Sequence, residues 1–96
     1  MNKTYYLANT QAFIHRKIAA EHVLISVGGN VANFNGYIQL NESAAFLWDN
    51  LKSKKTTDEL ENALLQEFDL DALRAHEDVA KFLNLLLINH MVTQIE

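Results

Sequence analysis

Short runs of alternating hydrophobic and polar positions in the first 40 residues predict β-strands. The runs are residues 13–18, 22–27 and 37–40. The second run places Val23, Ile25 and Val27 on one face, and a period of two residues is typical of a half-buried strand. Gly28-Gly29 ends that strand, and Asn35-Gly36 is a strong turn signal because both residues tolerate positive φ. The first part of the chain is therefore predicted to form three antiparallel strands.

Apolar residues recur every three or four positions in the rest of the chain, which predicts three helices. The first helix, residues 42–51, follows the N-cap residue Asn41, and the second runs to about Glu67 from a capping box of Thr56 and Glu59. The third covers about residues 74–89, and residues 91–95 are predicted to form a short closing strand. Strands followed by helices indicate an α+β domain, a three-stranded antiparallel sheet followed by three helices.

Length, composition and charge limit the classes of protein. The 96 residues allow one domain, residues 1–96, of which residues 1–11 are expected to be a loosely ordered N-terminal segment. Residues 1–40 carry three basic and one acidic side chain, whereas residues 41–96 carry five basic and eleven acidic ones. This acidic balance disfavours binding to nucleic acid. Because the chain shows neither a secretory signal nor a membrane-spanning run, we expect a soluble cytoplasmic protein.

Side chains able to catalyse reactions or bind metals lack the spacing that such sites need. The chain has no cysteine, which excludes disulfides, thiolate metal sites and cysteine nucleophiles. His76, Glu77 and Asp78 are adjacent on a predicted helix and so point in different directions. No serine lies in a nucleophile elbow, and no glycine-rich phosphate loop is present. The sequence therefore predicts no enzyme, no metal site and no cofactor.

Residues 33–48 resemble the signature of the PqqD-like family and read NFNGYIQLNESAAFLW. The spacing from Thr57-Asp58-Glu59-Leu60 through Phe68-Asp69 to Leu86 is also similar, and the resemblance covers about residues 12–92. It implies a fold like a winged helix-turn-helix. It also implies a non-catalytic protein that binds the leader of a ribosomally made precursor peptide and presents it to a modifying enzyme. In pyrroloquinoline quinone biosynthesis that enzyme is a radical SAM protein, but the sequence does not distinguish this pathway from other peptide-modifying pathways.

The chain departs from the family pattern at two places. Ala44 stands where glycine is frequent, and alanine there strengthens the helix. The third helix often ends in Gly-Leu in the family, whereas this chain has Asn89-His90-Met91. We expect Asn89 to take the left-handed conformation that ends the helix.

The resemblance implies that the leader adds as a strand to the third strand and lies against the third helix. The candidate edge, with Ile38 and Leu40 on one face, consists of Tyr37, Ile38, Gln39 and Leu40. The candidate groove wall on the third helix consists of Val79, Phe82, Leu83 and Leu86. Core packing is the alternative for this wall, above all for Leu83 and Leu86, because helical apolar stripes usually face the core.

Two other functions stay open at this point. A winged-helix DNA-binding regulator fits the order of elements, although the predicted helices carry few basic residues. A structural subunit that docks on a larger enzyme is the second alternative. The open edge of the predicted sheet also allows a strand-paired homodimer.

Overall fold

The computed structural model describes residues 3–27 and 37–96, and it arranges them as two small sheets and three helices. The strands are β1 (Tyr5–Ala8), β2 (Phe13–Ile18), β3 (Glu21–Ser26), β4 (Tyr37–Leu40) and β5 (Val92–Ile95). The helices are α1 (Glu42–Asn50), α2 (Thr57–Glu67) and α3 (Ala72–Ile88). The fold-class prediction, an α+β domain with a three-stranded antiparallel sheet and three helices, is confirmed. The Gly28-Gly29 break and the Asn35-Gly36 turn lie outside the described residues.

The three-stranded sheet has the order β2-β3-β4, and both pairings are antiparallel. A two-residue turn joins β2 to β3, with Ile18 opposite Glu21, and Ala19 adopts a left-handed φ of 57°. One face of the sheet carries Phe13, Leu24 and Leu40, all fully or almost fully buried against the helices. The period-two pattern of the sequence therefore identifies the strands. In β3, however, Leu24 faces the core, and the apolar face predicted from Val23, Ile25 and Val27 is the opposite one.

A second sheet forms where β1 pairs with β5, so that Tyr5 lies opposite Ile95. Tyr6 also exchanges two backbone hydrogen bonds with Lys55, at 2.8 and 3.0 Å, and the Ala8 N–H donates to the Leu51 carbonyl at 2.8 Å. The segment expected to be loosely ordered thus contains a strand that is tied to β5 and to the connection after α1. Its partners lie far away along the chain, so no local pattern marks it.

Each helix begins at a side-chain cap. The Asn41 Oδ1 accepts from the Ala44 N–H at 2.8 Å before α1. The predicted capping box is present before α2, where Thr56 and Glu59 exchange hydrogen bonds of 2.9 and 3.2 Å. The Thr56 backbone N–H holds the pKa of the Glu59 carboxyl below its ordinary value, mainly because it donates to the charged form. Asp71 Oδ1 accepts from the Arg74 N–H at 2.8 Å, and α3 therefore begins at Ala72, earlier than predicted.

The end of α3 differs from the sequence expectation in one detail. His90, not Asn89, takes the left-handed conformation, with φ values of 57° and −96° respectively. The His90 N–H donates to the Leu87 carbonyl at 3.2 Å and the Met91 N–H to the Leu86 carbonyl at 2.8 Å. This pair of bonds is the Schellman arrangement, which places the left-handed residue one position beyond the cap.

The hydrophobic core lies between the buried face of the three-stranded sheet and the three helices. Trp48 is 1% exposed at its centre. The buried helical residues around it include Leu47, Leu51, Leu60, Leu64, Ala75, Val79, Leu83 and Leu86. Met91 and Val92 extend the same cluster toward the second sheet, so one core joins all the described elements.

Candidate functional site

Strand β4 forms an edge of the three-stranded sheet, and in the described ranges it pairs with β3 alone. The Val27 N–H donates to the Ala12 carbonyl at 2.8 Å. In this register, the backbone groups of Val27 and of every second residue before it therefore point toward β2. Because backbone groups alternate sides along an antiparallel strand, His22 and Leu24 point the other way, toward Leu40 and Ile38 of β4.

This alternation fixes which backbone groups of β4 face outward. Ile38 and Leu40 use their N–H and C=O groups toward β3, so those of Tyr37 and Gln39 point away from the sheet. The side chains alternate between the two faces of the sheet. The side chains of Ile38 and Leu40, predicted to share a face, lie toward the helices, whereas Tyr37, 65% exposed, and Gln39 lie on the outer face.

A cleft of about 210 Å³ lies between the beginning of α1 and the middle of α3. It adjoins the end of β4, because Asn41 directly follows Leu40 in the chain. Its lining is formed by Asn41, Ser43, Ala44, Leu47, Asp78, Lys81, Phe82 and Leu85. Asn41 therefore connects the outward-facing edge of β4 to the cleft, whose lining among the described residues comes from Asn41, α1 and α3.

The Asn41 side chain holds the junction between the edge strand and the cleft. Its Oδ1 accepts from the Ala44 N–H at 2.8 Å and from the Ser43 hydroxyl at 3.1 Å. Asparagine is a preferred N-cap because this acceptor satisfies a backbone donor that has no partner within the helix. The same residue therefore ends β4, starts α1 and lines the cleft.

The four candidate residues of α3 do not all reach this cleft. Val79, Leu83 and Leu86 are 1%, 4% and 0% exposed and belong to the core. Phe82, at 7% exposed, is buried and also lines the cleft. The structure thus brings Phe82 into the cleft that Asn41 also lines, and places the other three side chains in the core cluster.

Sequence reasoning missed three α3 residues that complete the lining, namely Asp78, Lys81 and Leu85. They lie at i, i+3 and i+7, and each immediately precedes a residue of the buried stripe at 79, 82 and 86. The sequence feature that could have identified them is the helical stripe next to the buried one, which is less apolar. A wall that must be half exposed is expected to mix charged and apolar side chains in this way.

Of the two charged side chains that line this wall, one has an ion-pair partner and the other has none among the described residues. Arg74 Nε lies 3.2 Å from Asp78 Oδ1, one helical turn away, so the Asp78 carboxylate has a cationic partner. Lys81 is exposed, and no ion pair joins it to any carboxylate in the part of the chain that the structure describes. The cleft therefore presents an ammonium group at its rim beside an apolar floor.

Histidine and carboxylate groups elsewhere form small pairs. His15 lies 2.9 Å from both Asp49 and His22, and His76 lies 3.0 Å from Glu61. Within the described residues, 3–27 and 37–96, no three such side chains are arranged to hold a metal ion. None of the described helices is long and apolar enough to cross a membrane.

A larger cleft, of about 530 Å³, lies between β1 and the beginning of α2. Its lining is mostly polar, and two of its residues, Thr56 and Glu59, are engaged in the capping box. The adjacent strand β1 is paired with β5 and bridged to Lys55. Despite its size, this cleft lacks the combination of an outward-facing strand edge and an apolar floor.

Comparison with known proteins agrees with this architecture. The chain matches the family model for Coenzyme PQQ synthesis protein D (PqqD) over residues 21–92. Among solved structures it is similar to one described as "TbiB1 in Complex with the TbiA(beta) Leader Peptide", with a TM-score of 0.68 and 21% sequence identity. That similarity covers 90% of this chain and 93% of the other, and at such low identity it shows the fold. None of the curated proteins matches this chain.

The family match includes the elements that build the candidate site. Residues 21–92 contain β3, β4 and all three helices, and therefore both the strand edge and the cleft. Since the match extends over most of the sequence, this chain belongs to the PqqD family.

Proposed function

We propose that this protein is a non-catalytic peptide-recognition element. It binds the leader of a ribosomally made precursor peptide as an added strand on β4 and presents it to a modifying enzyme. The observation that carries the proposal is the outward-facing backbone of Tyr37 and Gln39 beside the apolar cleft. Strand addition gains affinity from main-chain hydrogen bonds and selectivity from pockets for alternate side chains.

The edge defines how a leader would bind. A strand paired with β4 forms its hydrogen bonds with Tyr37 and Gln39, because these residues direct their backbone groups outward. Residues of the leader opposite Ile38 and Leu40 then direct their side chains to the helical side of the sheet, as Ile38 and Leu40 do. The cleft beside Asn41 receives one or more of those side chains.

The similar solved structure supports this proposal at the level of the fold. That structure is described as TbiB1 with the TbiA(beta) leader peptide, so a protein of this fold is known with a leader bound. The similarity covers 93% of that chain and 90% of this one. A leader peptide is therefore the ligand class that we assign to this site.

The modifying chemistry belongs to a partner in this proposal. The chain contains no cysteine and so offers no thiolate to hold an iron–sulfur cluster. From the family resemblance we expect a partner of the radical SAM type, either in pyrroloquinoline quinone biosynthesis or in another peptide-modifying pathway. We place the encounter in the cytoplasm, where a ribosomally made precursor is synthesised.

The test uses synthetic leader segments of short precursor peptides encoded beside this protein's gene. Each peptide carries a fluorophore, and its anisotropy is followed as the protein is added. We expect saturable binding by at least one leader and none by a scrambled version of the same peptide. Absence of saturable binding by every such leader would contradict the proposal. Gel filtration of the free protein shows whether the β4 edge is instead occupied by a second copy.

A matched pair of variants at Gln39 tests the binding mode. Gln39→Pro removes an outward N–H without removing a hydrogen bond to β3, and proline is tolerated on edge strands. Loss of that bond should weaken binding about tenfold, given about 0.5–1.5 kcal/mol for the hydrogen bond and the added bulk of the ring. Gln39→Ala keeps the N–H and should bind like the unaltered protein. Equal affinity of the proline and alanine variants, both folded by thermal melting, would rule out strand addition at this residue.

A further inference from the structure

The exposed flank of α3 carries two kinds of side chain in succession. Residues 74, 78, 81, 85 and 88 follow one another at helical spacing along this flank. The first three are charged, whereas Leu85 and Ile88 are apolar and remain 38% and 67% exposed. The flank therefore changes from charged to apolar within the length of the cleft.

The apolar part of the cleft comes from both of its walls. Ala44 and Leu47 line it from α1, and Phe82 and Leu85 line it from α3. Leu85 is only partly covered, so a ligand side chain that contacts it removes apolar surface from water. This part of the cleft favours a large apolar side chain.

The charged part leaves one cation for a ligand. Asp78 is paired with Arg74 at 3.2 Å, and the Asp78 side chain is 23% exposed. Lys81 lines the same cleft, and among the described carboxylates neither Asp78 nor Glu77 forms an ion pair with it. An anionic ligand group at the rim would face Lys81 without competing with an existing ion pair.

The spacing of the two features fits an extended peptide. Lys81 and Leu85 are one turn apart on α3, about 6 Å along the helix axis. Side chains on the same face of a strand are two residues apart, about 6.6–6.8 Å. In a leader strand that runs along α3, two successive side chains that face the helices therefore meet Lys81 and the apolar part separately.

We infer that the bound segment of the leader carries an acidic residue two positions from a large apolar residue, and that Lys81 selects the acidic one. The inference rests on the proposed function, because it assumes an extended peptide on β4. It adds a charge rule for the ligand that strand pairing alone does not impose. Lys81 acts here as a specificity-determining residue.

A displayed library of random 12-residue peptides tests this rule without knowledge of the natural precursor. Peptides are selected on the unaltered protein, and those that fail to bind Gln39→Pro are retained as edge-dependent binders. We expect these binders to be enriched in Asp or Glu two positions from Leu, Ile, Phe or Met. Lys81→Glu should weaken their binding roughly fivefold to tenfold at low salt and less at high salt, since exposed ion pairs are modest and screened.

Two controls separate a specific contact from a general effect of charge. Lys52→Glu changes the net charge by the same amount outside the cleft and should leave binding within about twofold. A binder whose acidic residue is changed to lysine should bind Lys81→Glu better than it binds the unaltered protein.

The outcomes distinguish the inference from the function on which it rests. Edge-dependent binders without acidic enrichment, with Lys81→Glu and Lys52→Glu behaving alike, would overturn the inference and leave the proposed function standing. Failure to obtain any edge-dependent binder would overturn both.

Discussion

Two adjacent leucines of α3 offer a sharp separation of binding from folding. Leu85 lines the cleft and is 38% exposed, whereas Leu86 is 0% exposed in the core. Leu85→Ala should weaken leader binding with little loss of stability. Leu86→Ala should greatly reduce stability, because its side chain contacts only the interior.

The magnitudes follow from burial. Full burial of a leucine is worth about 1.5–3 kcal/mol, so truncating the partly covered Leu85 should cost about 1 kcal/mol of folding stability. Covering its remaining surface with a leader side chain should contribute about 1 kcal/mol to binding, which corresponds to an affinity loss of about fivefold. Leu86→Ala also leaves a cavity and should cost about 2–5 kcal/mol, a large share of a small domain's total of about 5–15 kcal/mol.

Thermal melting and peptide anisotropy measure these two effects on the same samples. For a domain of this size, 1 kcal/mol shifts the melting temperature by about 4–8 °C. We therefore expect a shift of about 5 °C for Leu85→Ala, and a shift of at least about 10 °C or complete unfolding for Leu86→Ala. Equal melting temperatures of the two variants, or unchanged leader binding by Leu85→Ala, would refute this separation of binding from folding.

Variants at three further positions test the ends of the helices. The pKa of Glu59 is lowered, so its ionised form stabilises the fold at pH values above the ordinary pKa of 4.5. This contribution is lost as the pH falls through the lowered pKa. Glu59→Gln keeps an acceptor for Thr56, so melting temperatures from pH 7 to pH 3 should fall less steeply for the variant than for the unaltered protein; parallel curves would argue against the ionised cap. His90→Gly should raise stability by up to about 1 kcal/mol in denaturant unfolding, because glycine adopts the left-handed conformation without a Cβ penalty; a destabilised variant would show that His90 forms other stabilising contacts. Asn41→Ala removes the acceptor for Ala44 and should cost about 1 kcal/mol, whereas Asn41→Ser should restore most of it; equal losses for both would count against the cap.

Features encoded locally could be predicted from the sequence. The Thr56 and Glu59 capping box marks the start of α2, and the alternation of Tyr37–Leu40 assigns its faces, because both patterns depend on neighbours a few residues apart. Strand β1 could not be predicted in this way, since its pairing with β5 joins opposite ends of the sequence. Position His90 was missed because the left-handed residue is set by the hydrogen bonds that close α3.

In the candidate site too, features set by neighbouring residues could be predicted, whereas features set by distant contacts could not. The edge strand was identified by its pattern and by the family signature, and the structure adds which of its backbone groups point outward. On α3 the pattern predicts the strongest apolar stripe as the groove wall, with core packing as the alternative, above all for Leu83 and Leu86. Helix packing directs Val79, Leu83 and Leu86 into the core. Only Phe82 of that stripe also lines the cleft, together with Lys81 and Leu85 of the weaker stripe beside it. Which flank of α3 faces the core and which lines the cleft depends on how α3 packs against α1, and those contacts join residues far apart in the sequence.

Residue-resolved amide hydrogen exchange on β4 tests strand addition most directly. In the free protein, Ile38 and Leu40 should be protected by their bonds to β3, whereas Tyr37 and Gln39 should exchange quickly. Saturation with a leader that binds should slow exchange at Tyr37 and Gln39, giving four consecutive protected residues. A bound leader that leaves the Tyr37 and Gln39 amides in fast exchange would contradict strand addition to β4.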